Sequence, residues 1–223
     1  MNRSHEQNIA LLKEKLLGMA SQAEWAAHRA LKSLLRRDDD LALQVKGEDA
    51  SVDQLQMEID ELALGLLART RAMDLVRLVT VAMKIAAELE RVADEATTIA
   101  RRVGELNKEP PLSQCSAIPP LATLALTLLK DALDAFVQPD PARARQVIAR
   151  DKEVDRQYRR LRDDLTRHMR VKPGAIRRCL DLMVIAKSIE RMADHAKSVA
   201  EAVVYLHEGR DIRHTVKTLA SLP

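Results

Sequence analysis

The chain has 223 residues, 47% of them apolar and 31% charged, with a formal net charge of +3. Aromatic residues are only 2%, and 6 Gly and 8 Pro are all that interrupt the chain. Strands favour aromatic and β-branched residues, whereas Ala, Leu, Arg, Lys and Glu favour helix. This composition predicts long helices and argues against single-strand nucleic-acid binding, which needs aromatic stacking platforms. The two cysteines, Cys115 and Cys179, form no Cys-x-x-Cys and no disulfide framework. The N-terminal segment carries charges through its apolar part and does not read as a signal peptide. No uncharged apolar run approaches the ~20 residues of a membrane span. A reduced, cytoplasmic, soluble protein is the simple expectation.

Three helices are expected in the first half, over about 5–36, 39–69 and 73–105. Arg36-Arg37 followed by Asp38-Asp39-Asp40 marks the first turn, since cations suit a helix C-terminus and Asp the next N-terminus. Two Pro-Pro pairs then break the chain within residues 105–120. Three more helices follow, over about 117–137, 141–170 and 173–208, with Asp140-Pro141 reading as an N-cap and first helical residue.

The halves are related. Residues 90–103 (ERVADEATTIARRV) match residues 190–203 (ERMADHAKSVAEAV) at seven of fourteen positions. The preceding helices align at an offset of 102, Asp49 and Asp53 with Asp151 and Asp155. In the third helix Leu78, Ala82, Ile85, Leu89, Val92, Ala96, Ile99 and Val103 alternate spacings of four and three, a heptad seam. Leu182, Ile185, Ile189, Met192, Ala196, Val199, Val203 and Leu206 repeat it. The expected fold is all-α: two tandem three-helix bundles, spectrin-repeat-like, related by internal duplication. The expected division is 1–108, a Pro-rich linker over 109–116, a second bundle over 117–210, and a tail over 211–223.

Four acidic pairs share one spacing: Asp49/Asp53, Glu90/Asp94, Asp151/Asp155 and Glu190/Asp194. Residues four apart share a helix face, where like charges cost roughly 0.2–0.5 kcal/mol per pair. The seam puts Glu90, Asp94, Glu190 and Asp194 opposite the core, exposed or in a shallow groove. One such pair is ordinarily solvated surface; four at matching places in two repeats call for compensation. Arg91 and Arg191 are candidates to supply it, and a divalent cation is another, because hard cations take oxygen ligands. The inward-facing Glu-x-x-His pattern of di-iron bundles is absent. His5, His28, His168, His195, His207 and His214 are scattered, and only His195, beside Asp194, is placed to assist.

These residues together resemble the PhoU family. The motifs are Glu90-Arg-Val-Ala-Asp94, Glu190-Arg-Met-Ala-Asp194, Asp49-Ala-Ser-Val-Asp53, Asp151-Lys-Glu-Val-Asp155 and the tail Gly209-Arg-Asp-Ile-Arg-His214. The resemblance implies a non-catalytic negative regulator of the phosphate-starvation response and of phosphate uptake. It implies an adaptor between the phosphate ABC transporter, through its ATPase PstB, and the sensor histidine kinase PhoR. It further implies a homodimer, and iron or another divalent metal (zinc, manganese, magnesium or calcium) at the eight acids. A carboxylate-rich metal store or metal-dependent hydrolase is the alternative. A helical nucleic-acid binder, which would bind DNA with strong salt dependence, is the third reading.

Overall fold

The structure, a computed structural model, describes residues 3–213, with side chains from Glu6 onward. The described residues form six α-helices: α1 (Arg3–Arg36), α2 (Asp39–Leu67), α3 (Met73–Leu106), α4 (Ile118–Val137), α5 (Pro141–Val171) and α6 (Ile176–Glu208). Short 3-10 turns, Ser113–Ala117 and Pro173–Ala175, lead into α4 and α6. Local chemistry sets the boundaries. Asp38 caps α2, its carboxylate accepting the Leu41 N–H at 2.9 Å, and Asp140 does the same for Arg143 at 2.9 Å. Each cap satisfies one of the orphan donors of a helix N-terminus, worth about 1 kcal/mol. The second Pro-Pro pair does not break a helix. It lies in the first turn of α4, where a proline forgoes an N–H that has no intrahelical partner. Pro173 opens the 3-10 turn, so α6 begins three residues later than the sequence suggested.

Helix α3 packs on α1 and α2, and α6 packs on α4 and α5, giving one three-helix unit per half. From Ala82 to Val103 and from Leu182 to Val203 every seam residue is buried. The flanking alanines Ala86, Ala93, Ala100, Ala186, Ala193 and Ala200 are buried too, which lets neighbouring helices approach closely. The two units are not independent. The most extensive helix contact in the molecule is between α3 and α6, α1 touches α4, and the core is continuous across both halves.

The connections are pinned. Arg37, in the left-handed region at φ 55°, makes the turn between α1 and α2. Its guanidinium donates to the carbonyls of Asn107 and Glu109 at 2.8 Å each, tying that turn to the end of α3. Arg178 of α6 donates to the Pro110 carbonyl at 2.8 Å. Gly209, at φ +66°, ends α6, and its N–H bonds the Tyr205 carbonyl at 3.0 Å. Cys115 and Cys179 are free thiols. No helix among the described residues is long and apolar enough to cross a membrane.

Candidate functional site: two acidic motifs

Each acidic motif is built by two adjacent helices of one half, α2 with α3 and α5 with α6. In the first half the four acids form one electrostatic group. Glu90 is pushed above the usual carboxylate range by partial burial first, then by Asp94 and Asp53. Asp94 is raised by partial burial, then by Asp49 and Asp53. No lysine or arginine is hydrogen-bonded to any of these four among the described residues. Arg91 lowers Glu90 by its field but bonds Glu88, at 3.1 Å. A cleft of about 180 Å³ lies beside the group, with Asp49, Val52, Ala93 and Thr97 on its wall under the exposed ring of Trp25.

The second half differs. Asp151 is 4% exposed and Glu190 8%, so these two acids are buried rather than outward-facing. A heptad seam accounts for only two neighbours. Helix α6 has three, α3, α4 and α5, as α3 has α1, α2 and α6; what sets the second half apart is local, Lys187, Lys197 and Tyr158 beside the acids. Buried carboxylates need partners, and lysines provide them. Lys197 Nζ donates to Asp151 Oδ2 at 2.9 Å, and Lys187 Nζ pairs with Glu190. Lys187 also stands 5.4 Å from the centroid of the Tyr158 ring. Asp155 takes a long bond from Arg159 at 3.5 Å. Asp194 stays exposed, raised by desolvation and by Glu190 and Asp151.

Of the two arginines expected to compensate the acidic pairs, Arg91 stays on its own helix with Glu88, and Arg191 instead links the halves. Arg191 bonds Glu95 of α3 at 3.2 Å. His195 is not a solvated surface side chain: it is half-buried, with Nδ1 2.7 Å from Glu88 Oε2. Arg102 reaches Asp181 at 3.2 Å. Glu95 is 8% exposed, and its second oxygen is buried without a hydrogen-bond partner. The sequence reading missed Glu88, Glu95, Lys187 and Lys197. The available signal was the repeat alignment, in which Lys187 and Lys197 stand opposite Ala87 and Thr97. His214 and the side chain of His5 lie outside the described residues.

The donors of the first motif, carboxylates with unrelieved mutual repulsion, suit a hard cation. As the side chains stand, no three carboxylates, imidazoles or thiols among the described residues converge on one point. The second motif fits a metal less well, because its two buried carboxylates are already bonded to ammonium groups.

A duplicated six-helix bundle with an acid-rich motif in each half defines the class: two-repeat, all-α proteins with paired acidic helices. Comparison with known proteins supplies the family. The PhoU domain model matches residues 16–103 and again 118–203. The phosphate-specific transport system accessory protein PhoU homolog of Pseudomonas putida is 35% identical over 206 residues, covering 91% of this chain and 80% of that protein. Its Pseudomonas aeruginosa counterpart is also 35% identical, covering 91% and 85%. The crystal structure of PhoU from Pseudomonas aeruginosa superposes with a TM-score of 0.90 at 32% identity, covering 92% of this chain and 99% of that one. The phosphate transport system regulatory protein PhoU from Streptococcus pneumoniae gives a TM-score of 0.85 at 25% identity, covering 93% and 99%. The chain belongs to the PhoU family.

Proposed function

We propose that this protein is a non-catalytic adaptor of the phosphate transport system that restrains phosphate uptake and the phosphate-starvation response. Its relatives are accessory and regulatory proteins of phosphate transport by name. The partners proposed are the transporter ATPase PstB and the sensor histidine kinase PhoR, met in the cytoplasm by a homodimer.

One observation carries the adaptor reading. The outer helices α2 and α5 are equivalent in the duplication but present unlike surfaces. On α2, Leu43, Ala50, Met57 and Leu64 recur every seven residues and are exposed, Leu43 and Leu64 by 61%. The matching positions on α5 are Arg145, Lys152, Arg159 and Thr166, also exposed. Seven residues are close to two helical turns, so each set forms one line along its helix. Lys152, Arg156 and Arg160 make no ion pair among the described residues. Duplication alone would give two like faces. One apolar line, and one line with three basic residues beside the unpaired Arg156 and Arg160, suit two partners of different surface chemistry.

Affinity capture from phosphate-replete cells tests this. Reversing Lys152, Arg156 and Arg160 to Glu should release one partner and keep the other. Replacing Leu43, Met57 and Leu64 with Ser should do the opposite. Recovery of neither a transporter ATPase nor a sensor kinase with the unaltered protein would refute the adaptor reading.

A second reading accompanies it: the first motif takes a divalent cation. It is supported by the raised pKa values of Glu90 and Asp94, held up by partial burial and then by a mutual repulsion that no bonded lysine or arginine relieves. Asp49, Asp53, Glu90 and Asp94 would hold the ion and Asp151, Asp155, Glu190 and Asp194 are their counterparts. Such an ion would neutralise charge and brace α2 against α3. Mn²⁺ uptake by the purified protein, lost when the first four acids are replaced by amides, tests it.

A further inference from the structure

Within the shared frame of the two halves, four acids recur but two neighbours do not. Ala87 and Thr97 of α3 correspond to Lys187 and Lys197 of α6. A third change accompanies them: Gln56 of α2 corresponds to Tyr158 of α5. These changes act together. Lys197 bonds Asp151 at 2.9 Å, Lys187 bonds Glu190, and the Tyr158 ring lies beneath the Lys187 ammonium. In the first half Asp49, Val52, Ala93 and Thr97 line an open cleft. Their counterparts are Asp151, Val154, Ala193 and Lys197, so the side chain that replaces Thr97 brings a cation to the place where the first half has space.

We propose that the second acidic motif is closed to metal in this chain, because the ammonium groups of Lys187 and Lys197 stand in for the divalent ion. The inference rests on the cation reading of the acidic motifs and restricts it. A divalent ion entering here would have to strip Asp151 and Glu190 of their charge-assisted bonds. It would also sit among two like charges in partly buried surroundings, where screening is weak. The motif thus keeps its acids as a structural clamp between α5 and α6, and the two halves have diverged in electrostatic role as they have in outer surface.

The test isolates the second motif. A background protein carries Asp49→Asn, Asp53→Asn, Glu90→Gln and Asp94→Asn. Lys187→Ala with Lys197→Thr is then added, reproducing the residues of the first half. Lys187→Gln with Lys197→Gln is made in parallel, since glutamine keeps a hydrogen-bond donor near Asp151 if the smaller side chains impair folding. Binding of Mn²⁺ is read from the loss of its free-ion paramagnetic resonance signal, and folding from circular dichroism. The expected result is a gain of at least about tenfold in Mn²⁺ affinity on removing the lysines. Equal binding with and without the lysines would overturn the proposal, and so would no binding in either folded lysine-free variant. The unaltered protein is titrated separately. Failure of its intact first motif to bind Mn²⁺ would refute the cation reading there, while the lysine-free variants still decide whether lysines close the second motif.

Discussion

Replacing Lys197 with Thr should destabilise the fold by an amount the structure sets. The Asp151 side chain is 6% exposed and loses its 2.9 Å bond, while Lys197 itself is 35% exposed. A hydrogen bond to a charged group contributes about 1.5–3 kcal/mol, and leaving a buried carboxylate unpaired costs at least its desolvation. The lysine head is partly wet, so water reaches the gap and the lower part of that range applies, about 1.5–2 kcal/mol. For a chain of this size each kcal/mol moves Tm by about 2–4 °C, so a fall of about 3–8 °C is expected. Thermal and urea melts of Lys197→Thr, Asp151→Asn and the double variant form a cycle. Because the asparagine needs no counter-charge, the double variant should recover at least half of the loss. A loss under about 0.5 kcal/mol for Lys197→Thr, or strictly additive single effects, would refute the clamp.

The first motif should respond in the opposite sense. Glu90→Gln with Asp94→Asn removes like charges that cost roughly 0.2–0.5 kcal/mol per pair, so stability at neutral pH should rise slightly. The sign follows from linkage. With their folded values raised, these acids favour the folded state below the ordinary carboxylate range, and that contribution is lost as pH rises through the raised values. Melts between mild acid and neutrality should therefore be flatter in the variant; an unchanged slope would count against the cluster. Leu89→Ala, at a fully buried seam position, should cost about 2–5 kcal/mol by cavity formation, measured by urea unfolding. Gly209→Ala should cost about 1 kcal/mol. Its φ of +66° strains any side chain, and an added Cβ would meet the Arg77 guanidinium at 3.3 Å.

What could be read from the residues was whatever depends on neighbours in sequence. The seam from Ala82 to Val103 announced its buried face through spacing alone, and Asp38 and Asp140 announced helix starts through cap chemistry. The duplication was visible because Glu90 to Val103 and Glu190 to Val203 still align. What depends on a third helix was not legible. A period of 3.5 says which stripe of α6 is apolar, but not that α3 and α5 close over its other flanks. Glu190 was therefore read as an exposed acid, and the seam of α6 carried no information on Asp151 of α5. The Lys197–Asp151 pair spans 46 positions and the His195–Glu88 pair 107, and no local pattern connects either. The chemistry of the first motif was legible as carboxylates, since Asp49, Asp53, Glu90 and Asp94 do act as one group. The asymmetry between the motifs needed the fold to show what Lys187 and Lys197 touch.

The central claim is restraint of the phosphate-starvation response, and its most direct measurement is made in the cell of origin. The coding sequence is deleted, and starvation-induced alkaline phosphatase activity and phosphate uptake are assayed with phosphate in excess. The account predicts that both rise in the deletion strain, that the unaltered chain restores repression, and that the chain with Lys152, Arg156 and Arg160 reversed to Glu does not. Phosphatase and uptake that stay repressed in the deletion strain would contradict it.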